Sequence, residues 1–399
     1  MQLVEVKSAK DIRDFHALPF RIYRDHPAWI PHLRQDVEKV FNREKNNFWK
    51  HGKAIRWILR DDKGTIIGRV AAFVNERQAH TFQQPTGGMG FFECIEDKEA
   101  AFRLFDACKE WLQAQGMEAM DGPINFGEKD KFWGLIIKNF EAPPYYGQNF
   151  NPEYYVSFFE EYGFQVYYNQ LVFHRNFQEK LQPRFVERAE RLEKSGDYSI
   201  RTVDPKNLEK FAEDFRTIYN RAWTTHDNFK PMKREQAFLL MKQFKPILDV
   251  NLIYFAYHKE QPVAFYLSMP ELNQVFRYVN GNLNLWGKLK FYWYFKIRKV
   301  VDTSFGVAFG IDPDYQGKGV EGLMYYHMEK ILHHPSRIDR YKDLIITWIG
   351  DFNPKMIRII QFLGASEFRR LATFRILFDP NAPFERAPII TAKEQKTPR

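Results

Sequence analysis

The stretch Val307 to Leu332, VAFGIDPDYQGKGVEGLMYYHMEKIL, narrows the fold more than any other part of the chain. An apolar run of strand length meets a turn at Asp312-Pro313-Asp314. A glycine-rich segment follows, then a run whose apolar residues recur at helical spacing. The unit is a strand, a short loop and a helix. The first N–H groups of a helix lack intrahelical partners and sit at the positive end of its dipole. Glycines that let a ligand come close therefore make the junction a ready anion site.

The rest of the chain is organised around two runs of the same order. In the first half a helical stretch from Phe15 to Tyr23 leads to strands at Ala54–Arg60 and Thr65–Asn75, joined by the hairpin signal Asp61-Asp62-Lys63-Gly64. A strand follows at Met89–Ile95. In the helix Glu99–Gln115, Ala101, Phe102, Leu104, Phe105, Cys108, Trp111 and Leu112 share a face and Gly116 supplies the stop. Met120–Phe126 reads as extended, Glu153–Tyr162 as a helix ending at Gly163, and Phe164–Phe173 as a strand. After a charged helical connector, Pro183 to Lys194, the order restarts with helices at Asn207–Ala222 and Arg234–Phe244. Strands are expected at Leu252–His258, Val263–Pro270, Gln274–Asn280 and Ser304–Ile311. A helix at Gly322–Leu332, a strand at Leu344–Ile349, a helix at Lys355–Leu363 and a strand at Arg369–Phe378 complete it. The expected division is a first domain over 1–178, a connecting helix over 179–199, a second domain over 200–378 and a flexible tail over 379–399.

Composition excludes some classes. With 399 residues the chain has room for two cores, and 27% charged residues with no long uninterrupted apolar run argue against a membrane-spanning protein. The start, MQLVEVKSAKDIRDF, lacks the apolar core of a secretory signal, and the two cysteines fit a reducing compartment, so a cytoplasmic protein is expected. A net charge of +9, from 59 basic and 50 acidic residues, favours anionic partners. No zinc-finger spacing, RNP-type aromatic motif or long basic tract accompanies it, so no nucleic-acid partner is expected. Neither His333-His334 nor Cys94 with Cys108 has metal-ligand spacing, and no metal is expected. The oligomeric state stays open.

Ile311 to Val320 resembles motif A of the GCN5-related N-acetyltransferases (GNAT), Gln/Arg-x-x-Gly-x-Gly/Ala after a strand with an apolar end. Gln316 and Gly319 match; Glu321 stands where Gly or Ala is expected, and Gly322 follows one residue late. In that family the loop binds the CoA pyrophosphate through backbone N–H groups. The resemblance thus implies an acetyl-CoA or acyl-CoA donor, contacted by Gly310, Ile311, Gln316, Gly317, Lys318, Gly319, Val320 and Gly322. Glu321 implies a loop shifted by one residue, weaker CoA binding or a different acyl carrier; Lys318 and Gly322 favour the shift. Asn353-Pro354-Lys355-Met356 followed by Leu363-Gly364-Ala365 resembles motif B, in which a tyrosine often protonates the leaving thiolate. Ile360 occupies that position here, and a thiol with a pKa of about 8.5 is a fair leaving group unaided. In the first half the acidic turn Ile95 to Glu99 has no glycine, and Tyr162-Gly163-Phe164 echoes motif B with Phe159 at the tyrosine position, so that half resembles a degenerate copy.

Phe91-Phe92-Glu93, Gly122-Pro123-Ile124-Asn125-Phe126, Asn151-Pro152-x-Tyr154-Tyr155, Tyr219-Asn220-x-Ala222-Trp223, Pro270-x-x-Asn273-Gln274 and Trp348-x-x-x-x-Asn353 extend the likeness. Together they resemble a bacterial group of tandem GNAT-like proteins that includes the bacterial ceramide synthases. The implied fold class is α/β (α+β), two tandem GNAT folds, each a mixed, mainly antiparallel sheet flanked by helices. The implied activity is N-acyl transfer from a CoA-type thioester to an amine, small or long-chain. The alternatives are a non-catalytic ligand-binding GNAT-fold protein and an aminoacyl-tRNA-dependent transferase. The resemblance places the oxyanion contact near Gly310 or Ile311. His226 leads as base by its intrinsic pKa, with Asp351 and Glu271 behind it. Asn353 joins the catalytic set through motif B, and Trp223, Asn273, Asn280 and Trp348 are candidates for the acceptor pocket. Finally, basic residues flank an aromatic block in 288–299. This reads either as an interfacial helix at the inner membrane face or as an amphipathic helix with buried aromatics.

Overall fold

The computed structural model describes residues 1–222, 231–332 and 340–390, apart from the side chain of Gln243. The first half contains β1 (Gln2–Glu5), α1 (Ala9–Ile22), α2 (Arg34–Phe41), β2 (Gly52–Arg60), β3 (Ile66–Asn75), α3 (Glu76–Ala79), β4 (Thr86–Cys94) and α4 (Lys98–Ala114). It ends with β5 (Ala119–Gly122), β6 (Leu135–Lys138), α5 (Tyr154–Tyr162) and β7 (Gln165–Asn176), after which α6 (Pro183–Lys194) leads onward. The second half runs β8 (Tyr198–Thr202), α7 (Leu208–Ala222), α8 (Arg234–Phe244), β9 (Ile253–His258), β10 (Gln261–Pro270), α9 (Asn273–Phe276) and α10 (Leu285–Tyr292). It closes with β11 (Thr303–Ile311), α11 (Val320–Leu332), β12 (Asp343–Gly350), α12 (Pro354–Phe362) and β13 (Ser366–Leu377).

All strands join one 13-stranded sheet in the order β1, β2, β3, β4, β5, β13, β7, β12, β11, β10, β9, β8, with β6 also on β13. The halves exchange their last strands. β13, from the second half, pairs antiparallel with β5, and β7, from the first, pairs antiparallel with β12. A buried ion pair fixes the exchange: Arg375 of β13 holds Asp121 of β5 through Nε–Oδ1 at 2.6 Å and a second bond to Oδ2 at 2.9 Å.

Alternation along the strands assigns the cores. In β9 and β10, Phe255, Tyr257 and Phe265 face α7 and α8, whereas Tyr254, Ala256 and Tyr266 face α11, α12 and α6. On α11, Val320, Met324, Met328 and Leu332 bury one stripe, each worth about 1.5–3 kcal/mol relative to exposure.

Two expectations are corrected. Gln274 to Asn280 is no strand: α9 and successive turns occupy it. Its buried apolar residues, Val275, Phe276 and Val279, have helical spacing, and Glu271 Oε1 accepts from Asn273 N–H at 2.9 Å to turn the chain. The tail expected to be flexible is held as far as Ile390. Ala387 N–H donates to Tyr167 O at 3.0 Å, Ile390 N–H to Phe352 O at 2.9 Å, and Arg386 pairs with Asp351 at 2.7 Å.

Candidate functional site

The site begins where two parallel strands part. β11 and β12 pair from Thr303↔Asp343 to Gly306↔Ile346 and no further, although both strands continue. The next residue, Val307, is a bulge: Ala308 lies opposite Leu267 and Gly306 opposite Ser268, which leaves Val307 extra. Gly306 itself has little room for a side chain, since a Cβ would lie 3.2 Å from Tyr266 Oη and 3.4 Å from Ile345 O. β12 meanwhile follows its other neighbour, with Ile349 opposite Leu171 and Gly350 opposite Gln170. At the far end of β11, Asp312 N–H donates to Val263 O at 2.8 Å, on the β10 side. Antiparallel pairing alternates, so Gly310 also turns its N–H to β10, while Ile311 and Phe309 turn theirs toward the opening beside β12.

The loop after β11 prepares a charged surface. Gly317 and Gly319 take left-handed backbone angles, φ 76 and 89, which a side chain would strain. The ladder of α11 begins with Leu323 N–H donating to Gly319 O at 3.1 Å, so the N–H groups of Val320, Glu321 and Gly322 precede it without intrahelical partners. Arg188 of α6 reaches the loop: its guanidinium donates to Gly317 O at 3.0 Å, and its Nε would lie 3.0 Å from a Cβ at Gly319. Lys355 Nζ donates to Gln316 Oε1 at 3.3 Å, tying the loop to α12, and Lys318 Nζ sits 4.7 Å from the Tyr315 ring centroid. Between α6, α11 and α12 lies a cavity of about 300 Å³ whose lining includes Arg188, Gly319, Glu321, Gly322, Arg358 and Phe362. Gly322 faces the Phe185 ring, 3.4 Å from its would-be Cβ, so its small size serves the approach of α6. Glu321 Oε2 is buried without a hydrogen-bond partner. Two arginines and the helix start can balance that carboxylate, and these residues fit a phosphate-bearing group.

The sequence candidates divide. Gly310, Ile311, Gln316, Gly317, Lys318, Gly319, Val320 and Gly322 form the strand end, loop and helix start, with Trp348, Asp351 and Asn353 across the opening on β12 and the start of α12. Asn353 caps α12, accepting from Met356 N–H at 3.2 Å, and Trp348 Nε1 donates to Lys129 O at 3.1 Å. Asp351 is engaged by Arg386 at 2.7 Å and by Asn169 Nδ2 at 2.8 Å. Asn273 and Asn280 lie apart from this group, beyond the opposite end of β11. The first is buried with its amide on Pro144 O at 2.8 Å, and the second is exposed at a turn with φ 55. Trp223, His226, His333 and His334 lie outside the described residues. Among the described residues no group of His, Cys, Asp and Glu could hold a metal.

Glu271, the remaining base candidate among the described residues, lies with Asn273 beyond the far end of β11. Its Oε1 accepts from Tyr146 and Asn273 N–H groups at 2.9 Å each, and its Oε2 is buried with no partner. Burial pushes its carboxyl up from 4.5 to about 7. Its own N–H donates to Thr303 O at 2.9 Å, placing it at the start of β11. By strand rise that is roughly 20–26 Å along β11 from the Phe309 and Ile311 N–H groups, too far for direct proton transfer there. Arg188, Arg358, the bulge at Val307 and the Phe309 N–H escaped the sequence reading. Arg188 lies far from the loop in sequence, and only tertiary packing joins them.

The first half has the same frame, closed. β4 and β5 pair in parallel from Thr86 to Gly88, and β4 is shifted against β3 beside Phe91, whose φ is 53. There a Cβ on Gly90 would lie 1.9 Å from Ile124 O, so no opening exists. Asp97 caps α4, accepting from Ala100 N–H at 3.1 Å, and thereby occupies the place an anion would take. Tyr23, Tyr155 and Arg69 surround the buried Glu93 carboxylate.

This is the fold of the GNAT acyltransferases, built twice in one chain. A tandem GNAT protein from the clavulanic acid biosynthesis pathway superimposes with a TM-score of 0.51 at 10% identity, covering 96% of this chain and 99% of that one. The GCN5-related glucosamine N-acetyltransferase region of a fungal multi-domain GH3 β-N-acetylglucosaminidase gives 0.51 at 11% identity, covering 94% of this chain and 38% of that one. Two relatives extend over nearly the whole sequence. Protein YghO of Escherichia coli (strain K12) is 25% identical over 364 residues, 90% of this chain and 91% of the relative. The bacterial ceramide synthase of Caulobacter vibrioides is 23% identical over 381 residues, 94% of this chain and 96% of the relative. No family model matches the chain.

Proposed function

We propose that the protein is an N-acyltransferase that takes an acyl group from a CoA-type thioester bound by its second half and passes it to an amine. The observation that carries this reading is the parting of β11 from β12 at a bulge, with two N–H groups facing the opening and a left-handed glycine loop at its end. The N–H groups of Phe309 and Ile311 would receive the carbonyl oxygen as the amine nitrogen attacks the thioester carbon and the C=O π pair moves to oxygen. When that pair returns, the carbon–sulfur bond breaks and the thiolate leaves. The amine's proton passes to a base or to solvent water. Arg188, Lys318, Lys355 and Arg358 would meet the donor's phosphates.

The likeness to a bacterial ceramide synthase supports a long-chain amine as acceptor. A panel of acyl-CoAs tested by calorimetry should give binding that Gly319→Glu abolishes, and sphingoid bases, polyamines and amino acids should then be screened for release of free CoA. If no acyl-CoA binds and Gly319→Glu changes nothing, the donor assignment fails. Glu321 beside the loop and Ile360 at the tyrosine position favour a second reading, a GNAT-fold protein that binds acyl-CoA without transferring it. Binding with no CoA release across the panel would select it.

A further inference from the structure

The chain departs from its own repeat between β10 and β11. In the first half residues 76–85 connect the matching strands; here residues 271–302 do so, as α9, α10 and a wide helical turn over Trp293–Ile297. This excursion is anchored. Phe276, Val279 and Phe295 are buried in the core, the Tyr278 and Tyr294 rings stack at 3.7 Å, and Phe291 lies against both Phe276 and Phe295. The amphipathic reading of the segment thus accounts for its inner face alone.

Its outer face is unlike the rest of the surface. Among the described residues, seven of the twelve exposed large hydrophobic side chains fall between Tyr278 and Ile297. Leu285, Trp286, Leu289, Tyr292, Trp293 and Ile297 are each more than half exposed, Trp286 the most at 73%. Contiguous apolar surface of this kind marks an interaction site. The charge around it has one sign: from Asn273 to Val301 there is no acidic residue, while Arg277, Lys288, Lys290, Lys296, Arg298 and Lys299 are exposed and form no ion pair among the described residues. No helix of the described residues is long and apolar enough to cross a membrane.

We propose that this excursion seats the protein on the surface of an anionic lipid bilayer. Tryptophan and tyrosine favour the headgroup boundary, leucine and isoleucine the acyl region beneath it, and exposed lysines and arginines the anionic headgroups. A protein partner would need acidic groups to meet six cations and apolar groups to meet the aromatic ridge. A bilayer supplies both over any area. The proposal concerns attachment alone and holds whatever the protein transfers.

The test is flotation of the full chain with vesicles of phosphatidylcholine, with or without phosphatidylglycerol. Wild type should float with the phosphatidylglycerol vesicles, and high salt should weaken this. Each basic residue near such a surface is worth roughly fivefold in partition, so Lys288→Gln/Lys290→Gln/Lys296→Gln should lower it by about 100-fold. Trp286→Ala/Trp293→Ala should release the protein even at low salt. All five side chains are exposed, so unfolding temperatures should hold, and the salt series on wild type needs no variant. Wild type that stays at the bottom of the gradient, or variants that float equally well, would overturn the proposal. So would self-association of wild type, abolished by the same substitutions, in place of flotation.

Discussion

Glu271 offers a prediction whose size follows from its surroundings. Its carboxyl is buried, accepts only two backbone N–H groups and has no cation beside it, which raises it from 4.5 to about 7. The folded state therefore holds this proton more tightly than the unfolded state. The associated stability is complete below about pH 4.5, falls as pH rises and is fully lost above about pH 7. That rise corresponds to about 3 kcal/mol, most of which falls between about pH 5 and pH 8.5. Glu271→Gln keeps an oxygen for the two N–H donors and removes the titration. Relative to wild type, the variant should gain about 2–3 kcal/mol across that interval. At roughly 2.1 cal/mol/K per residue over this length, the gain is worth about 3 °C in unfolding temperature. Scanning calorimetry of both proteins through the range measures it directly. A difference between variant and wild type that stays constant within about 1 °C would show that Glu271 ionises freely, and the argument for its isolated carboxylate would fail.

Other substitutions probe the loop and the strand exchange. Arg188→Ala removes an exposed guanidinium poised over the Gly317–Gly319 loop, so on the proposed donor assignment acyl-CoA affinity by calorimetry should fall about tenfold with little change in unfolding temperature. Arg375→Ala leaves the buried Asp121 carboxylate uncompensated and should cost about 3–5 kcal/mol in urea denaturation, whereas Asp121→Asn/Arg375→Gln should recover part of that loss. Expression of residues 1–178 alone leaves β5 and β7 without the strand between them. The fragment should aggregate unless 179–399 is co-expressed, and a soluble, cooperatively unfolding fragment would contradict the exchanged topology.

Legibility in the sequence followed the range of the forces involved. Hairpin turns, helix stops and apolar periods are local, and β2, β3, α4, α5, α8 and α12 lie within a few residues of their expected bounds. The segment Gln274 to Asn280 misled because aromatic and branched residues suit a strand, while a buried carboxylate and positive φ values at Asn280 and Gly281 decide for turns. The loop could be read because its glycines, turn and helix are contiguous. Arg188 could not, since packing of α6 brings it there from far away in sequence. The same holds for Val307, whose bulge depends on the register of β10 against β11.

The closed first half still has a part in the open one. Where β12 leaves β11, its backbone groups on that edge lose their partners, a loss sheets normally avoid. β12 keeps its other edge paired because β7, the last strand of the first half, continues alongside it to Gly350. There Asp351 N–H donates to Asn169 O at 3.0 Å and its carboxylate accepts from the Asn169 amide at 2.8 Å, pinning the end of the opening to β7. The first half can therefore have no glycine loop, cap α4 with Asp97 and fill its own gap while still supporting the second. Its last strand could not be lost in the same way. In a duplicated fold that has exchanged terminal strands, the closed half thus still forms one wall of the opening in the other.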